Sequence, residues 1–115
     1  MSGKRRMDFL NELSVANKLR NKEWDPEGVV TLSFRGNELA GEVGEVCNEV
    51  KKLERIRLGI RGTQSSKERV AEEMADVLIC LSLLANDVGV DLKEAVIDKF
   101  NKTSEKYGLS VKLEL

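Results

Sequence analysis

The chain has 115 residues and a net charge near −1, with 41% apolar, 34% charged and 4% aromatic residues and a single proline. That balance fits one domain of amphipathic helices; it argues against a β-sandwich, against a nucleic-acid binder that relies on a general positive field and, with no apolar run near the roughly 18 residues of a spanning helix, against a membrane protein. Histidine is absent, which removes the commonest general base and the usual nitrogen ligand, so any metal chemistry must use oxygen donors. The first predicted helix runs from Met7 to Asn21, with Phe9, Leu10, Leu13, Ala16 and Leu19 on a broad apolar face. It stops before a turn, Trp24-Asp25-Pro26-Glu27-Gly28. The second begins between Thr31 and Asn37 and reaches about Leu58. Its Leu39, Val43, Val46, Val50 and Leu53 alternate four and three apart and predict a stripe facing a core. Gly41 and Gly44, each about 1 kcal/mol worse than alanine inside a helix, suggest the close approach of another helix or a ligand.

The segment LGIRGTQSS interrupts the pattern and predicts a flexible loop over about 57–66. Ser65 with Glu68 reads as a capping box for a third helix, which carries Val70, Met74, Val77, Leu81, Leu84 and Val88 to a stop at Gly89. Asp91 with Glu94 caps a fourth, bearing Leu92, Ala95, Val96 and Phe100 and running to about Tyr107 before Gly108. The tail beyond is left without an element. Cys47 and Cys80 read as small buried thiols. Four helices with short links predict an all-α four-helix bundle, one domain over 1–115, and a chain this short is expected to gain core by pairing with copies of itself. The N-terminal MSGKRRMDFL has no long apolar core or small-residue cleavage site, so it does not read as a secretory signal, and a cytoplasmic location is expected.

Two acidic pairs share one spacing: Glu42-x-x-Glu45 in the second helix and Glu73-x-x-Asp76 in the third. Residues three apart lie on one helix face with Cβ atoms about 5–6 Å apart, so two such helices packed together would bring four carboxylates to one place. A divalent cation, magnesium or manganese, would relieve their repulsion. At 100° per residue Glu38, Glu42, Glu45 and Glu49 fall within about 60° of one another, flanking the apolar stripe. Glu73 and Asp76 continue along their face into Cys80 and Leu83, which are expected to be buried. The plain alternative makes these acids solvated residues paired with Lys51, Lys52, Arg55 and Arg69. Glu72, four before Asp76, is an alternative to Glu73. Lys99, Lys102 and Lys106 lie three to four apart on the last helix, either as a clamp for phosphates or as cations complementing the helix dipole. Trp24 and Tyr107 suit either a ligand contact or a packing role. Arg57, Arg61, Lys67 and Arg69 read as ordinary loop charges.

The succession LAGEVGEVCNEVKK, EEMADVLICLSLLA and VGVDLKEAVIDKFNKTSEKYG resembles the all-α nucleoside triphosphate pyrophosphohydrolases of the MazG type, relatives of the dCTP pyrophosphatases and dimeric dUTPases, over roughly residues 24–108. The resemblance implies that Glu42, Glu45, Glu73 and Asp76 ligate magnesium, that Lys99, Lys106 and Tyr107 meet the phosphates, and that Trp24 lies against the base. The asparagine usual in the last motif is Thr103 here, and Asn101 is offset from it. The implied reaction is metal-dependent hydrolysis of a (deoxy)nucleoside triphosphate to the monophosphate and pyrophosphate by a homodimer or homotetramer. Catalytic acids would come from Glu42, Glu45 and Glu49. Without histidine, the base that orients water is expected to be Glu45 or Glu49. Other readings are a phosphoribosyl-ATP pyrophosphatase and a non-catalytic helical oligomerisation or adaptor protein.

Overall fold

A computed structural model describes residues 8–114, so the predicted start at Met7 lies outside the described residues. Four helices, α1 (Phe9–Trp24), α2 (Leu32–Arg57), α3 (Lys67–Val88) and α4 (Leu92–Lys106), give the expected all-α architecture. Each start carries a side-chain cap that satisfies an otherwise orphaned amide. Asp8 accepts from the Asn11 N–H, Thr31 from Phe34, Ser66 from Arg69 and Asp91 from Glu94. The cap of α3 is therefore Ser66, not the expected Ser65, whose hydroxyl is used elsewhere. Gly89 and Gly108 end α3 and α4 at φ of 84° and 65°, a left-handed backbone that glycine adopts without penalty.

Helix α1 continues past Asn21 to Trp24, which closes the helix where the sequence suggested a turn. The turn is held from one residue further on. Asp25 accepts the N–H groups of Val29 at 2.9 Å and Val30 at 3.0 Å, and these bonds hold its carboxyl below the usual carboxylate range.

The longest packing seam joins α2 to α3; α1 lies against α3, and α4 touches α1. These seams are unusually polar. Asn17, 2% exposed, donates to the Ile79 carbonyl at 3.2 Å, while Ser14 donates to Asn86 Oδ1 at 2.6 Å and Asn86 donates back to the Ser14 carbonyl. Arg35, also 2% exposed, joins three helices: its Nε donates to Asp87 at 2.9 Å and its Nη2 to Asn21 at 2.8 Å.

The predicted apolar faces are only partly covered. On α1, Phe9 and Leu19 are exposed; on α2, Val43 and Val50; on α3, Met74 and Val88. Among the described residues the buried hydrophobic core is Cys80 and Ala85. Cys47, expected to be buried, is exposed. The expected close approach at Gly41 and Gly44 is also absent among the described residues, since a Cβ added at either would meet nothing within 4 Å. The reason is geometric: among the described residues α2 packs mainly against α3, and α1 lies against α3 with only a slight contact to α4, so each apolar stripe is covered over part of its width. The radius of gyration is 18.0 Å, against about 13 Å for a compact domain of this length.

Candidate metal centre

Helices α2 and α3 bring their acidic faces together. Glu42, Glu73 and Asp76 each offer a carboxylate oxygen, and these oxygens lie within 4.8 Å of one another. Glu73 rather than Glu72 makes the third corner. Glu45, the fourth expected ligand, is exposed and places no oxygen in this group. Its charge still reaches the cluster. Burial, followed by the charges of Asp76, Glu45 and Glu38, raises Glu42 above its ordinary range, and burial, followed by Glu45, Asp76 and Glu42, raises Glu73.

No ion pair among the described residues involves Glu42, Glu45, Glu73 or Asp76. The pairing with Lys51, Lys52, Arg55 and Arg69 that the plain alternative supposed is therefore absent among the described residues, although Glu45 and Asp76 are exposed to solvent. One turn before Glu42, Glu38 has a buried Oε1 with no hydrogen-bond donor among the described residues, and Arg35 Nη1 lies 4.0 Å from it. Beside this face lies Cys80, whose thiol is pushed up to about 11 by burial and by the carboxylates of Glu38, Glu42 and Asp76, so it stays protonated. The donor set is hard oxygen carrying excess negative charge, which fits a magnesium- or manganese-type cation and not a thiophilic metal.

Glu49 stands apart from this group. It is 6% exposed, with Oε1 accepting from Ser65 at 2.6 Å and Oε2 from Lys52 at 3.1 Å. Ser65, Lys52 and the charge of Arg69 hold its carboxyl below the usual range despite burial. The side chain thus ties the α2–α3 loop to α2.

The α4 candidates do not reach the cluster within this chain. None of Lys99, Lys102 and Lys106 contributes a charge acting on Glu42 or Glu73. Lys106 lies over the Tyr107 ring at 5.3 Å, Lys99 lines a shallow apolar cleft with Ala95, Val96 and Phe100, and Tyr107 is exposed. Asn101 is occupied by the tail, accepting the Leu113 N–H at 2.7 Å and donating to the Leu113 carbonyl at 2.8 Å. Trp24 is exposed and packs against Phe34 with ring centroids 6.0 Å apart. The Arg35–Asp87–Asn21 junction escaped the sequence reading. An arginine on an otherwise mixed helix face carries no periodic signal, and its partners lie 14 and 52 residues away.

The MazG-like family profile matches residues 39–115, a span containing all three converging carboxylates and Glu45. The chain is 32% identical over 82 residues to the Gene 37 protein of Mycobacterium phage L5, covering 71% of each chain. No solved structure matches it. The acidic pairs on α2 and α3, the four helices in their order and the matched span together show that the chain belongs to the MazG-like family.

Proposed function

We propose that the chain is a nucleoside triphosphate pyrophosphohydrolase that uses a divalent cation, magnesium or manganese, held by Glu42, Glu73 and Asp76. The observation that carries the reading is the convergence of these three unpaired carboxylates from two helices within 4.8 Å, in a member of this family. When bound, the cation supplies Lewis acidity toward a phosphoryl oxygen and offsets phosphate charge. Every other element of the reaction belongs to the chain. Glu45, exposed beside the cluster and free of ion pairs among the described residues, accepts the proton of a water that attacks the α-phosphorus. The bond from that phosphorus to its bridging oxygen breaks, and pyrophosphate leaves. Glu49 is a poor base here because both its oxygens already accept hydrogen bonds; it positions the loop instead.

Lys99, Lys102, Lys106 and Tyr107 serve the phosphates, and Trp24 the base, once copies of the chain assemble. A homodimer or homotetramer is the working form, since α4 lies against α1 and not over the carboxylates.

The test is pyrophosphate release from a panel of ribo- and deoxynucleoside triphosphates, with phosphoribosyl-ATP included. Glu42→Gln and Asp76→Asn are expected to lower release by about a hundredfold while circular dichroism stays unchanged. Glu45→Gln is expected to lower kcat by about a hundredfold or more while manganese binding persists. Equal rates in all three variants would overturn the reading.

A further inference from the structure

Beyond Glu45 toward its C-terminus, α2 changes sign. Asn48 and Lys52 follow Glu45 by three and seven residues, and Arg55 follows Lys52 by three, so one flank of the helix passes from acid to base. With Lys51 these residues line a groove of about 310 Å³ whose far wall is Gly62, Thr63 and Gln64 of the loop between α2 and α3.

The groove is built, and two of its three cations, Lys51 and Arg55, have no counter-charge among the described residues. Arg55 Nε donates to Thr63 Oγ1 at 3.0 Å, a neutral partner that fixes the guanidinium without cancelling its charge. Lys51 takes part in no ion pair among the described residues. Of the nearby acids, Glu49 pairs with Lys52 and accepts from Ser65, and Glu54 pairs with Arg57. Thr63 retains its own hydroxyl proton, and Asn48 and Gln64 offer side-chain amides. The backbone N–H groups of Gly62, Thr63 and Gln64 find no acceptor among the described residues. Such a concavity, rich in donors and without a carboxylate in its lining, suits a compact polyanion.

We propose that this groove is an anion subsite that binds pyrophosphate, the product of the proposed reaction. Lys52 follows Glu42 by ten residues and Glu45 by seven, about 15 Å and about 10 Å along the axis, so the groove lies beyond the acidic face toward the C-terminal end of α2. The inference rests on the reaction proposed above for its purpose, and on the groove alone for anion binding.

The test is calorimetric titration of the full chain with inorganic pyrophosphate in EDTA, with manganese binding measured separately. The unaltered chain and Glu42→Gln are expected to bind pyrophosphate equally well, although Glu42→Gln loses manganese. Lys51→Gln/Arg55→Gln is expected to weaken pyrophosphate binding about tenfold or more and to retain manganese. Because Arg55 also holds Thr63, the single change Lys51→Gln, which removes no intramolecular bond, is measured as well and is expected to show a smaller loss in the same direction. Absence of metal-free pyrophosphate binding, or an affinity unchanged in both groove variants, would overturn the subsite. Pyrophosphate binding that survives alongside a failure of the unaltered chain to bind manganese would overturn the metal reading and leave the subsite standing.

Discussion

Glu42 and Glu73 are held where their ionised forms are disfavoured, because burial and neighbouring carboxylates act in the same direction. A folded-state value above the ordinary 4.5 means that the folded chain binds more protons than the unfolded one through this range. Their contribution to stability is therefore greatest in acid and is lost as pH rises from about 4.5 through the raised values. Removing one charge should reverse that loss. Without metal, Glu42→Gln is expected to raise Tm at pH 7 by roughly a few degrees, with the gain shrinking as pH falls toward 4.5. With saturating manganese the order inverts, because only the unaltered chain gains the stabilisation of a ligand bound to the folded state. Melting curves at several pH values, with and without manganese, check both signs. That Glu73 shares a helix face with Asp76, and Glu42 with Glu45, was legible from i,i+3 spacing, since helix periodicity dictates which side chains share a face. The separate fate of Glu49 was not legible: it shares the angular sector of Glu42, and only the fold of the following loop brings Ser65 to its carboxylate.

At the scale of elements, Ser65 and Ser66 divide the labour that one residue was expected to perform. Ser66 caps α3, while Ser65 fastens the loop to Glu49 on α2 and so fixes how the start of α3 meets the acidic face. The two should fail differently. Ser66→Ala is expected to cost about 1 kcal/mol of stability, as the loss of a helix cap usually does. Ser65→Ala is expected to raise amide exchange in residues 58–66 about tenfold and to weaken manganese binding, because the loop loses its tie. Amide exchange by NMR separates them, and identical exchange profiles in the two variants would show that Ser65 has no positioning role. Adjacent serines before a helix look alike in sequence, and the backbone path decides which hydroxyl faces the first turn.

At the scale of the whole molecule, one chain leaves much of its apolar surface in water. Phe9, Leu19, Val29, Tyr107 and Val111 are all about three-fifths exposed or more. The accessible surface of 8915 Å² exceeds the roughly 6,300 Å² usual for a folded monomer of this mass. An assembly of identical chains would cover that excess. The expected outcome is a sedimentation mass that is a multiple of the chain mass and a Tm that rises with protein concentration. A concentration-independent Tm at the monomer mass would contradict it. The polar ties between α1 and α3 go with a small apolar core within the chain.

The sequence by itself determined the four helices, most of their ends and the two acidic faces, because caps, glycine stops and the 3.6-residue period act over a few neighbouring residues. It could not determine which acids meet. The tertiary structure decided that Glu42, Glu73 and Asp76 converge while Glu45 stands aside, that Glu49 anchors a loop, and that Arg35 joins Asn21 to Asp87. Those outcomes depend on the rotation and offset of one helix against another, which are set by contacts between residues distant in the chain and leave no periodic trace along it.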